Sequence, residues 1–416
     1  MTEKILLIGI GCVTMKYAPA ALRRAGYEAV VLGNIQQFSG ESRTALRTCA
    51  SHQTDIEDPG SVTSLLAERP EILAGVVAVT SLWDEKFPLV EQAADTHHIS
   101  GPDRAISLLS QKAVVNRTIP EYCPRGSIIH RRSIADADLT AIAASPSGSV
   151  LKPSLSAGAL GQAYFPSADV SIDEVRAAID TSELPDADTQ EWIHQERING
   201  DLFSLEGFVE QGAITFLGFS QRMRVGLTEV GNAFPADVSL SPAARQRCRD
   251  SVTTLVHRSD LRNGYFHCEY LVAGDESYLI DANIGRIGGG TIVEQIALAY
   301  HVDPVEIMEH VVLLPLGRSI RAPSYDSSGP LTQTMAFWYG LESGGTVLGT
   351  VPPSDSVCTH TQFAEPGGLV PAIGTSDRAW VGMLTGPYED AIRDIEHVKI
   401  ETNSGWVKPF HTRIGG

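Results

Sequence analysis

His267, Glu269, Asp281 and Asn283 form the first group in this 416-residue chain whose types and spacing suit chemistry. His267-Cys268-Glu269 and Asp281-Ala282-Asn283 are separated by a short connection, and a hairpin turn on Gly274-Asp275-Glu276 sets Glu269 opposite Asp281 and His267 opposite Asn283. Side chains alternate along a strand, so the four then share one face while Cys268 points to the other and reads as core packing. Directly opposed carboxylates destabilise a hairpin unless a cation lies between them. Hard oxygen donors with room for water and phosphate oxygens suit Mg2+. A solvated acidic strand pair is the competing reading, and a one-residue slip of register removes the argument.

The run Ile284-Gly285-Arg286-Ile287-Gly288-Gly289-Gly290-Thr291 follows directly. Glycines let backbone N–H groups turn inward as an anion nest, and Arg286 adds a fixed fork of donors. An ordinary glycine turn before a helix is the plainer account. Upstream, Lys152-Pro153 ends a strand and Ser154-Leu155-Ser156-Ala157-Gly158-Ala159-Leu160-Gly161 is small-residue loop. A lysine facing a cleft beside such a loop can hold a di- or triphosphate while the loop closes. Walker A spacing and a kinase catalytic loop are both absent, so the chain is read as neither a P-loop enzyme nor a protein kinase. Arg222 and Arg224 are further candidates for phosphate or substrate contact, against a solvated surface pair.

These residues need elements to position them. Lys4 to Ile10, a helical pattern through Ala21 and Leu22, and the strand Glu28 to Leu32 read as a β-α-β start. A helix at Ser61 to Glu68, a strand at Gly75 to Thr80 and a helix at Glu85 to Ala94 extend it to a doubly wound parallel sheet. Strands dominate Glu191 to Phe219. Ser241-Pro242 opens a helix with a cap and a first-turn proline, and one long helix is predicted from Val293 to about Val312. Ala336-Phe337-Trp338-Tyr339 is either a pocket wall or a buried strand, with the strand preferred. Gly9-x-Gly11 after the first strand invites a dinucleotide site, but Thr14 replaces the third glycine and the second strand ends at Asn34 rather than an acid. A nicotinamide-dependent oxidoreductase is therefore the weaker class.

Hydrophobic residues are 43% and charged residues 20%, the balance of a folded globular chain. The net charge of −18 repels phosphate backbones and anionic lipid, so neither nucleic acid nor membrane is an expected partner. Six scattered cysteines without a CxxC pair match neither a structural zinc site nor a secreted disulfide framework, which favours a cytoplasmic protein. The apolar stretch from Ile5 to Ile10 is too short for a membrane span and lacks a cleavage site.

Taken in order, Lys112, Lys152-Pro153 with its loop, Gln195-Glu196-Arg197-Ile198-Asn199-Gly200, His267-x-Glu269 and Asp281-x-Asn283-x-x-Arg286 resemble the ATP-grasp carboxylate-amine ligases. Within them the plan is most similar to the bacilysin-type L-amino-acid ligases that make dipeptides, and to related ligases of peptide natural products. The resemblance implies an α/β chain: a Rossmann-like (pre-ATP-grasp) domain over residues 1–104, then an ATP-grasp domain over 105–310 with a mobile lid at about 118–194. A C-terminal α+β region, 311–416, completes the core. It further implies Lys112, Lys152, Ser154, Ser156, Gln195, Glu196, Ile198 and Asp201 around ATP. Glu269, Asp281 and Asn283 would hold Mg2+, with Mn2+ as a substitute, and Arg286, Lys152 and Arg222 would serve the reaction. Three positions depart from the family's pattern. Asp281 stands where Glu is usual, Arg286 falls three residues after Asn283 rather than two, and Gln195 opens the hinge in place of Glu, with Leu202 beside Asp201 where an acid often meets ribose. The implied activity is ADP-forming: a carboxylate becomes an acyl phosphate that a small-molecule amine attacks, in an enzyme that admits a homodimer. The alternatives are a donor or acceptor other than an amino acid, and a catalytically idle nucleotide-binding module.

Overall fold

The computed structural model describes residues 2–38, 40–136, 148–156, 160–166, 170–182, 184, 187–318, 320–376 and 379–411. Residues 157–159 of the small-residue loop lie outside them. The chain opens with four parallel strands, β1 (Lys4–Ile8), β2 (Glu28–Gly33), β3 (Ala50–Gln53) and β4 (Val76–Thr80), in the order β3-β2-β1-β4. Helices α1 (Cys12–Arg24), α2 (Gly40–Leu46), α3 (Pro59–Glu68) and α4 (Phe87–His97) connect them or follow. Ile5, Leu6, Leu7 and Ile8 are all fully buried, because a parallel strand covered on both faces must be apolar on both. This is the doubly wound start that the sequence predicts.

Short helices α5 (Arg104–Leu109) and α6 (Lys112–Thr118) lead to a small antiparallel sheet of β5 (Gly126–His130), β6 (Ser149–Pro153), β7 (Ala163–Phe165) and β8 (Glu191–Glu196), ordered β5-β8-β6-β7. Helix α7 (Ile172–Asp180) lies in the same segment and opens on a capping box between Ser171 and Glu174. Next come β9 (Asp201–Glu210), β10 (Ala213–Val225), β11 (Thr228–Phe234), α8 (Pro242–Ser259), β12 (Gly264–Ala273) and β13 (Glu276–Ile284). Ser241 caps α8 through the Ala244 N–H, as the Ser-Pro pattern predicts.

The predicted long helix is two, α9 (Ile292–Tyr300) and α10 (Pro304–Leu313). His301 takes a left-handed φ of 54° and Asp303 caps the second helix through Val305 N–H, so an Asp-Pro start inside the apolar pattern restarts the helix. The rest comprises β14 (Thr334–Tyr339), β15 (Gly345–Val351), β16 (Thr359–Gln362), β17 (Gly368–Val370), β18 (Gly382–Pro387), α11 (Tyr388–Ile395), β19 (Lys399–Thr402) and β20 (Gly405–Val407). Strands β17-β15-β19-β20 form a third four-stranded sheet, and β13-β12-β9-β10-β11-β14-β18-β16 form the eight-stranded sheet that carries the site.

That large sheet is two-faced. Phe203, Leu205, Phe219, Cys268 and Tyr270 pack with Ala244, Cys248, Val252 and Leu255 of α8, and Cys268 is fully buried among them. The alternate residues, Ser204, Glu206, Arg222, His267 and Glu269, make the opposite face polar. Among the described residues no helix is long and apolar enough to cross a membrane.

Candidate functional site

The β12–β13 hairpin pairs His267 with Asn283 and Glu269 with Asp281. The pairing is the expected one, reached by a different route. The turn holds two residues, Gly274 and Asp275, so Ala273 pairs with Glu276 and Tyr270 with Leu279. Ile280 is then an extra residue that shifts the ladder back before Asp281. The bulge also presents the Ile280 carbonyl to Lys152, whose Nζ lies 3.4 Å away.

Charge compensation for the opposed carboxylates comes from side chains. Arg222 on β10 forms ion pairs with both Glu269 and Glu229, and its side chain is only 10% exposed. Arg222 is therefore no solvated surface residue; its guanidinium is committed to two carboxylates. Lys112 lies 3.3 Å from Asp281 and donates to the Ser156 carbonyl at 2.7 Å. Burial opposes ionisation of Glu269, but Arg222 and His267 hold its carboxyl well below the usual range. Asp281 goes the other way: burial, together with Glu269 and Asp84, raises it against the pull of Lys112 and Lys152. His267 donates from Nδ1 at 2.5 Å to the fully buried Glu206 carboxylate, and its Nε2 lies 3.3 Å from Glu269. Burial lowers an imidazolium, yet Glu206 prevails and raises His267 to about 9.

Arg286 is held across the chain by Asp84, just after β4, at 2.5 Å, and by Asn283 Oδ1 at 2.7 Å. Asn283 also donates to the His267 carbonyl at 3.1 Å, so both ends of its amide are engaged. Close packing accounts for three of the glycines that follow. A Cβ on Gly285 would meet Ile106 at 2.4 Å, one on Gly288 would meet His267 at 2.7 Å, and one on Gly290 would fall 1.8 Å from Trp338. Gly289 faces open space.

Lys112, Asn116, Lys152, Ile193, Gln195 and Asp281 line a cleft between the small sheet, α6 and the edge strand β13. Lys152 is 8% exposed, and burial lowers its ammonium despite nearby Asp281. Burial works against the Lys112 ammonium too, but Asp281 and Asp84 more than reverse it and raise its pKa. Ser154 gives its Oγ to the Ala113 N–H and its carbonyl to Lys112 N–H, fixing the start of α6. Gln195 is buried in β8, one of the two inner strands of the small sheet, and Glu196 is committed to the Arg125 backbone N–H and guanidinium. Ile198 is half-buried in the connection to β9, and Asp201 is exposed at its start.

Glu269 and Asp281, 16% and 25% exposed, are hard oxygen donors on one face and fit a divalent ion that keeps waters and phosphate oxygens. Asn283 would have to exchange Arg286 for the ion. Among the described residues no group of three His, Cys, Asp or Glu suits a metal, so the protein's share would be these two carboxylates. Asp84, Glu206 and Glu229 are the members that sequence reading did not single out. Glu206 had a visible trace, since Ser204 and Glu206 alternate with Phe203 and Leu205 in a strand otherwise apolar.

No protein-family model and no curated protein sequence matches the chain. Solved structures do. It is similar to L-amino acid ligase from Bacillus licheniformis, with TM-score 0.66 and 16% identity over 93% of each chain. Biotin carboxylase from Campylobacter jejuni, in complex with β-γ-ATP, gives 0.70 and 15% over 98% of this chain and 93% of that one. Phosphoribosylglycinamide synthetase from Anaerococcus prevotii gives 0.67 and 13% over 96% of this chain and 99% of that one. At these identities the likeness is one of fold.

Proposed function

We propose that this chain, which has the ATP-grasp fold of those three enzymes, is an ADP-forming ligase that activates a carboxylate and joins it to an amine. The observation that carries the reading is the cleft where Lys112, Lys152, Gln195 and Asp281 converge between two sheets. Two buried ammonium groups beside a carboxylate pair suit a nucleoside triphosphate better than any uncharged ligand. A dipeptide-forming activity is the finer reading, favoured by the sequence resemblance and by the likeness to an L-amino acid ligase.

In this account Gln195 to Ile198 border the adenine, and Lys112 and Lys152 meet the phosphates. Among the described residues Lys152 has a single weak hydrogen bond, 3.4 Å to the Ile280 carbonyl, so it has little to give up there on meeting an anion. A Mg2+ ion held by Glu269 and Asp281 would neutralise phosphate charge. A substrate carboxylate oxygen attacks the γ-phosphorus and ADP leaves. Arg286, aimed by Asp84 and Asn283, is placed to meet the charge that builds on the transferred phosphoryl group. An amine then attacks the acyl carbon and releases phosphate. Water would destroy the acyl phosphate, so the small sheet over 118–194 is assigned the role of a lid.

Phosphate release from ATP with Mg2+, across pairs of amino acids and other carboxylates and amines, tests the reading. Release that requires both partners supports it. Absence of nucleotide binding together with absence of release overturns it.

A further inference from the structure

We propose that the nucleotide cleft takes purine nucleoside triphosphates of both the 6-amino and the 6-oxo kind, and that the Gln195 carboxamide sets this tolerance. The proposal names the nucleotide class of the ligase site above and rests on that reading.

The lining of the cleft divides by charge. Lys112, Lys152 and Asp281 are its charged members, and they gather at β13, with Lys112 3.3 Å from Asp281 and Lys152 3.4 Å from the Ile280 carbonyl. Val115, Ile193, Leu279, Cys123, Asn116 and Gln195 line it with neutral groups. Burial pushes the Cys123 thiol up to about 12, so it stays uncharged, and Asn116 hydrogen-bonds to it. Glu196, next to Gln195, alternates to the other face of β8, where Arg125 holds it. The charge of a triphosphate belongs with the two ammonium groups, which leaves the neutral part of the cleft for the base.

Strand register puts Gln195 in that part. Lys152 on β6 stands opposite Ile193 on β8, and Val150 stands opposite Gln195. Lys152 and Gln195 therefore share one face of the small sheet, offset by two residues, or about 7 Å along the strands. From there the Lys152 ammonium reaches to β13, whereas the Gln195 carboxamide reaches to Pro124, ahead of β5. One sheet face thus presents a cation to the phosphates and an amide to the edge of the base.

The amide is free to turn. Gln195 is 4% exposed, and among the described residues its side chain makes one hydrogen bond, from Nε2 to the Pro124 carbonyl at 3.4 Å, beyond the usual N–H···O range. Turning the carboxamide end for end forfeits little. A 6-amino purine offers a donor beside a ring-nitrogen acceptor, and a 6-oxo purine offers an acceptor beside a ring N–H donor. The carboxamide carries both an acceptor and donors, so it meets either edge by rotating. A carboxylate in its place would only accept, taking the amino form and repelling the oxo form. Discrimination of that kind needs the repulsive element, and Gln195 lacks it.

Calorimetric titration of the full chain with Mg2+ and either ADP or IDP tests this, because the two nucleotides differ only at that edge of the base. The wild-type protein should bind them with Kd values within about tenfold of each other. Gln195→Glu should raise the preference for ADP by about tenfold or more at about pH 8.5, well above the ordinary glutamate value, with two ammonium groups in the same cleft favouring the ionised carboxylate. Gln195→Met, which neither donates nor accepts, should weaken both nucleotides alike. A wild-type preference beyond the tenfold range overturns the proposal without recourse to a variant. An unchanged preference in Gln195→Glu overturns it too, as does a Gln195→Met protein that binds either nucleotide as tightly as wild type. The two readings fail differently: ADP bound with IDP rejected removes the tolerance alone, whereas binding of neither removes the nucleotide site and the ligase reading with it.

Discussion

Replacing Arg222 by Met should be among the most destabilising single changes in the chain, although the two residues have similar length and both pack well. Arg222 is 10% exposed and bridges Glu229, 9% exposed, and Glu269, 16% exposed. Met fills the volume but leaves two carboxylates without their cation. Among the described residues Glu269 then keeps His267, at 3.3 Å, as its ion-pair partner, with Arg224 acting from farther away. Breaking a buried pair in this one-sided way costs about 3–5 kcal/mol, whereas an exposed pair is worth about 0–1 kcal/mol. The loss should be read from urea denaturation followed by tryptophan fluorescence at neutral pH. Adding Glu229→Gln to Arg222→Met should recover part of it, because one of the stranded charges is then gone. A loss below about 1 kcal/mol, or a double variant no better than the single one, would refute the view that this arginine balances both carboxylates.

Lys152→Met should leave stability within about 1 kcal/mol of wild type, or raise it, since a buried ammonium with one weak hydrogen bond among the described residues is held for function; ATP affinity should fall about tenfold or more. A large stability loss in thermal denaturation would contradict that assignment. Gly290→Ala should cost about 2–5 kcal/mol, combining a left-handed φ of 66° with a Cβ 1.8 Å from Trp338, while Gly289→Ala, whose Cβ meets nothing within 4 Å, should cost little; equal melting temperatures for the two would sink the packing account. His267 carries a raised pKa of about 9, so its pairing with Glu206 stabilises the fold fully below the ordinary histidine value and progressively less as pH rises through 9. Unfolding free energy should fall by roughly 3 kcal/mol over that window, and a His267→Gln variant should show no such decline.

Alternation made the hairpin legible. Charged and apolar residues alternate from His267 to Tyr270, and that rhythm set Glu269 against Asp281 before any coordinates. The Ile280 bulge was invisible, because a two-residue turn plus one extra residue gives the same pairing at the site as the three-residue turn expected. Parallel strands β1, β2 and β4 were legible for a related reason: runs such as Ile5 to Ile8 are apolar without alternation. Long-range partners were not. Asp84 meets Arg286 across 202 positions, and nothing local to either residue announces the other. The break between α9 and α10 was written in Asp303-Pro304, the same kind of start that located α8, but the apolar periodicity running across it won. Ala336 to Tyr339 is the buried strand preferred from the sequence, apolar on both faces because both are covered, one with Leu384 and the other with Met383, Phe363 and Trp380.

The central claim is that a substrate carboxylate takes the γ-phosphoryl group of ATP. Incubating the protein with Mg2+, ATP and a panel of amino acids labelled with 18O in the carboxylate, then analysing the released phosphate by mass spectrometry, tests it most directly. Transfer through an acyl phosphate predicts ADP together with phosphate carrying one 18O atom for each product formed. Unlabelled phosphate, or AMP and pyrophosphate in place of ADP and phosphate, would contradict it.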